Sequence, residues 1–81
     1  MDFENFAQRV VLRFGIDEPP SLDPWTGIFD DLGLDSLQGF ELLIYVEALA
    51  GVDVPPPALP DVLTLGEAYD YYVSSRTPAA R

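Results

Sequence analysis

The chain contains no cysteine, no histidine and no lysine. Without cysteine there is no disulfide and no thiolate chemistry, and without histidine as well the usual zinc sites are gone. A serine in such a chain has no His or Lys to take its proton, so hydrolysis or acyl transfer by a Ser–His pair is excluded. The acids around Asp30 and Asp31 do not alternate as a calcium loop requires, and no metal site is expected. No apolar run approaches the roughly 18 residues that span a bilayer, and no signal-peptide pattern opens the chain. The expectation is a cytoplasmic protein that is neither in nor on a membrane.

Positive charge is nearly absent too. Fourteen acids face four bases, a formal net charge of −10, and the bases are Arg9, Arg13, Arg76 and Arg81, all near the ends. Between Phe14 and Ser75 every charged side chain is a carboxylate. Nucleic acid needs Lys and Arg for its phosphates and is excluded as a partner. A protein with a basic surface is favoured instead.

What is present is enough for one small folded unit. Hydrophobic residues make up 48% of the 81 positions, too many for a disordered acidic tail. A chain of this size buries only about 60% of its unfolded surface, so its core is small. The expectation is a single monomeric domain over 1–81, ordered over about 2–75, with a flexible tail at 76–81.

Phe3, Phe6, Ala7, Val10, Val11 and Phe14 recur at the spacing that stacks one helical face. With Asp2 as N-cap and Gly15 as terminator they predict a helix over 2–14. Proline and acids crowd residues 15–35, a connection long enough to indicate function or a local turn. Asp23-Pro24 reads as a cap and first position of a helical turn over 24–30. Trp25, Ile28, Phe29, Leu32 and Leu34 are expected to pin the loop to the core.

A second helix is predicted from Ser36 to Ala50, closed by Gly51. Its wheel carries two apolar stripes where a surface helix needs one. Leu42, Leu43, Val46, Leu49 and Ala50 form the first. Leu37, Phe40, Ile44 and Ala48 form the second, bordered by Glu41 and Glu47. Either the helix is buried all round, or the second stripe is an exposed patch with an acidic rim that docks partners. Pro55-Pro56-Pro57 and Pro60 leave room for at most a short third helix around 58–63. Thr64-Leu65-Gly66-Glu67 is a capping box opening a last helix to about Ser74, with Leu65, Ala68, Tyr69, Tyr72 and Val73 on its core face. The fold class is therefore all-α, with three longer helices and one short one.

The string Asp31-Leu32-Gly33-Leu34-Asp35-Ser36-Leu37 sits where the loop gives way to the second helix. It places one hydroxyl on a rigid support with no base beside it, which reads as a residue that another enzyme modifies. Serine is also a favoured helix N-cap, so a small acidic interaction domain with Ser36 as a cap is the other reading.

This string, with Glu41 and Glu47, Val54-Pro55, and Val62, Thr64, Leu65, Gly66, Ala68 and Tyr71, resembles the acyl carrier protein family over nearly the whole chain. The resemblance implies a four-helix carrier bundle with a long loop between its first two helices. It implies no catalysis, but a 4′-phosphopantetheine arm taken from coenzyme A by a phosphopantetheinyl transferase and attached to Ser36. It further implies recognition by Asp35, Leu37, Phe40, Glu41, Ile44 and Glu47, and partners that load and unload the arm: an acyl- or aminoacyl-loading ligase, and an acyltransferase or ketosynthase. Gln38 and Ala48 stand where fatty-acid carriers commonly have acids, and proline replaces much of the usual acidic third helix. Asp35 differs from the histidine of peptidyl carriers. Phe40, Tyr45 and Tyr69 to Tyr72 are expected to make the surface aromatic. The pattern is similar to freestanding carriers of polyketide or macrolactam assembly that present aminoacyl starters; a fatty-acid or peptidyl carrier is the alternative.

Overall fold

The computed structural model describes residues 1–17, 19, 21–51 and 62–76. Among them are three helices and no strand: α1 (Phe3–Phe14), α2 (Ser36–Ala50) and α3 (Leu65–Arg76). The all-α expectation holds. The short third helix expected around 58–63, the run Pro55 to Pro57 and the tail beyond Arg76 lie almost wholly outside the described residues.

Each helix begins as its sequence dictates. The Asp2 carboxylate accepts the Asn5 amide at 2.9 Å and opens α1, and Gly15 closes it in the left-handed region, at φ 65°. Thr64 Oγ1 accepts the Glu67 amide at 3.1 Å, while Glu67 Oε1 accepts the amides of Leu63 and Thr64. The last helix runs to Arg76, two residues past the predicted end.

Phe6, Ala7 and Val10 of α1, Leu42 and Val46 of α2, and Leu65, Ala68 and Tyr72 of α3 make the core with Ile28, Leu32 and Leu34 of the loop. Val73, expected on the core face of α3, is partly exposed. An aromatic cluster knits the two ends together: Phe3 and Phe6 meet Tyr69 edge-on at 5.7 and 5.4 Å, and Tyr69 lies 6.0 Å from Tyr72. The Tyr69 hydroxyl donates to the Met1 carbonyl at 2.8 Å. These tyrosines belong to the interior and its margin, which corrects the expectation of an aromatic surface from Tyr69 to Tyr72; exposed Phe40 and half-buried Tyr45 remain.

The long loop is ordered by hydrogen bonds more than by its largest side chain. No helix forms over 24–30; a single i→i+4 turn closes later than expected, with the Asp31 amide donating to the Gly27 carbonyl at 3.1 Å. The Thr26 amide donates to the Asp23 carbonyl, closing a turn, and Gly27 pairs with Thr64 in an isolated antiparallel bridge. Thr26 Oγ1 donates to the Ser21 carbonyl and accepts the Asp23 amide. The Leu65 and Gly66 amides, left without helical acceptors at the start of α3, donate to the carbonyls of Thr26 and Pro24 at 2.9 and 2.8 Å. Those bonds engage the carbonyls on both sides of Trp25 and leave its indole 74% exposed. Trp25 does not pin the loop. Ile28, Leu32 and Leu34 do, and Phe29 lies at the margin.

Candidate functional site

Ser36 sits at the joint between loop and α2, and each residue of the string before it has a physical task. The Asp31 carboxylate accepts the Gly27 amide at 2.6 Å and holds the loop's second turn. Leu32 and Leu34 are buried, and the chain can put both inward because Gly33 between them adopts φ 76°, a backbone that side chains disfavour. Asp35 then caps α2: its carboxylate accepts the Gln38 amide at 2.8 Å, and Gln38 Oε1 accepts the Asp35 amide at 3.1 Å.

The cap on α2 is therefore Asp35 and not Ser36. Ser36 is the first helical residue, exposed, with its hydroxyl free of any structural duty. This removes the cap reading on which the interaction-domain alternative relied. The amides of Ser36 and Leu37, at the first helical positions, have no intrahelical acceptors and lie at the positive end of the helix dipole. An anionic group on Ser36 is thus met by backbone donors.

The two stripes of α2 face opposite ways. Leu42, Leu43 and Val46 are buried, while Leu37 is 66%, Ile44 47% and Phe40 43% exposed. Ala48 is exposed as well. The helix is not buried all round. Phe29 extends this surface from the loop: its ring packs on Gly39 so closely that a methyl group there would lie 2.8 Å from it.

The acidic rim is half of what the sequence predicts. Asp35 and Glu41 are exposed, with Asp30 and Asp31 nearby in the loop. Glu47 is not on the rim: it is 6% exposed, and its carboxylate accepts the Tyr71 hydroxyl. Glu47 falls at the seam between the two stripes, where α2 packs on α3, and the phenol satisfies a carboxylate that would otherwise be costly to bury. Burial first, then the hydrogen bond to Glu47 and its charge, push the Tyr71 hydroxyl up to about 12; a hydrogen bond with Ser75 opposes them.

Thr26 and the structural role of Asp31 escaped the sequence reading. A threonine between Trp25 and Gly27 carries no periodicity, and an acid in an acidic loop carries no signal of its own. Among the described residues no group of His, Cys, Asp and Glu could hold a metal ion, and no helix is long and apolar enough to cross a membrane.

Residues 7–72 match the family described as a phosphopantetheine attachment site. Over 81 aligned residues the chain is 32% identical to an acyl carrier protein of Rubrobacter xylanophilus (strain DSM 9941 / JCM 11954 / NBRC 16129 / PRD-1), an alignment covering 95% of this chain and 99% of that one. No solved structure matches. The helices, the exposed serine and these matches define a carrier class. The chain belongs to the acyl carrier protein family, whose members are non-catalytic carriers with a 4′-phosphopantetheine group. The residues fit that group: an exposed hydroxyl, two unpaired amides beside it and an apolar stripe leading away.

Proposed function

We propose that Ser36 carries the 4′-phosphopantetheine arm and that the protein shuttles acyl or aminoacyl groups between enzymes. The observation that carries this reading is the placement of Ser36. It is the first residue of a capped helix, solvent-exposed, and relieved of capping by Asp35. When bound, the arm supplies the terminal thiol that holds cargo as a thioester, which a chain without cysteine lacks.

The chain's own residues position and advertise. Ser36 Oγ would accept the pantetheine-bearing phosphoryl group of coenzyme A, its new bond to that phosphorus replacing the one to the departing adenosine 3′,5′-bisphosphate, while a phosphopantetheinyl transferase takes the hydroxyl proton. Asp35 holds the helix end so that Oγ points out, and Asp30, Asp31 and Glu41 present negative charge to a basic transferase. Leu37, Phe40 and Ile44 give the transferase, and later a loading ligase, acyltransferase or ketosynthase, an apolar strip to dock on. Glu47 acts from behind, fixing α2 on α3.

The finer reading is a freestanding, monomeric, cytoplasmic carrier in polyketide or macrolactam-type biosynthesis, with an aminoacyl starter as cargo. It rests on the sequence string Leu42-Leu43-Ile44-Tyr45-Val46-Glu47 and on the sparse charge of α2, where Gln38 and Ala48 stand in place of acids. A fatty-acid or peptidyl carrier is the alternative.

The test is intact mass after incubation of the apo protein with coenzyme A and a broad-specificity phosphopantetheinyl transferase. One phosphopantetheine adduct on the wild type and none on Ser36→Ala is expected. No adduct on folded wild type would return the chain to a small acidic interaction domain.

A further inference from the structure

Away from Ser36, the exposed stripe of α2 runs into a groove of about 240 Å³ lined by Ile44, Tyr45, Ala48 and Glu41 of α2 and by Arg13 of α1. Arg13 stands out on a chain of net charge −10. Its guanidinium lies 5.3 Å from the centre of the Phe14 ring and 5.8 Å from that of Tyr45, within range of cation–π attraction. Those two rings are its recorded partners among the described residues, and no carboxylate pairs with it. The structure holds a cation in place at the groove wall, and among the described residues no carboxylate forms an ion pair with it.

Three quantities identify the occupant. At about 1.5 Å per residue, the groove lies about 8 to 18 Å along α2 from Ser36, a distance that an extended phosphopantetheine arm covers. The path is apolar, since Leu37, Phe40 and Ile44 share the exposed side. The groove itself holds about eight waters' worth of space, at ~30 Å³ each, which suits a short acyl group and not the ridge of a protein, which needs an interface of about 800 Å² per partner.

We infer that this groove is a resting site for the distal end of a short acyl or aminoacyl group bearing a second, free carboxylate, which Arg13 receives. The inference rests on the reading that Ser36 bears the arm. Arg13 attracts the carboxylate, and Glu41 in the same lining opposes it.

The test loads ¹⁵N-labelled protein with succinyl- or butyryl-phosphopantetheine from the corresponding coenzyme A thioesters, and follows the Arg13 Nε–H and the amides of Glu41 to Ala48 by NMR. Succinyl should shift Arg13, Tyr45 and Ala48 well beyond butyryl. Arg13→Gln, an exposed change whose melting curve should match wild type, should erase the difference, and Glu41→Gln should enlarge it. Equal shifts for the two cargoes, or a succinyl-specific shift that survives Arg13→Gln, would overturn the inference. Failure of the wild type to gain any mass would instead overturn the assignment of Ser36, and this inference with it.

Discussion

At Asp35 and Ser36 two neighbouring residues divide two tasks that one residue could have combined. Asp35 closes the helix end, so Asp35→Ala should cost about 0.5–2 kcal/mol in chemical denaturation, the usual value of a lost N-cap. Ser36→Ala should stay within about 0.5 kcal/mol of wild type, as an exposed helical position does, while losing all modification. The string was legible in the sequence, but the division of labour was not, because Asp and Ser are equally good caps and only hydrogen bonds decide between them. Glu47 shows the same limit. Its place on the wheel suits a rim as well as a seam, and Tyr71 arriving from a distant part of the chain settled the matter. Tyr71→Phe should cost about 1–3 kcal/mol near neutral pH by leaving Glu47 without its donor. Tyrosine in the unfolded chain ionises near 10.0, whereas folded Tyr71 holds its proton to about 12. Wild type should therefore lose stability as pH rises through that window, and the gap to Tyr71→Phe should narrow, which urea titrations at a series of pH values would show.

At the scale of elements, the helices were legible and the loop was not. Both apolar stripes of α2, its start at Ser36 and its end at Gly51 followed from side-chain period and terminator chemistry, and the stripe of Leu37, Phe40 and Ile44 proves exposed. Period has no purchase on the loop, where carbonyl acceptors choose the path and leave Trp25 outside. The exposed stripe yields a prediction. Ile44→Asp and Phe40→Asp should change the melting temperature little, since the two side chains are already 47% and 43% exposed, while weakening turnover by partner enzymes. A large drop in melting temperature would place these side chains in the fold.

For the whole molecule, charge governs. Fourteen acids on 81 residues repel one another, so added salt should raise the melting temperature through screening over about 10 Å at 0.1 M. The same salt should slow association with a basic transferase, raising its KM for the carrier more than it lowers kcat. A carrier whose melting temperature fell with salt would draw its stability from ion pairs, and among the described residues Arg13 is held by rings instead.

The first amides of α3 end on carbonyls of the loop, Leu65 on Thr26 and Gly66 on Pro24, and not on acceptors of their own segment. Their hydrogens can exchange with deuterium only when the loop lifts away. The two amides are thus built-in clocks for loop opening. In a deuterium-exchange experiment Leu65 and Gly66 should lose protection together with Ile28, whose amide is bound to Leu63 across the same seam, and a Thr26→Val exchange should speed all three.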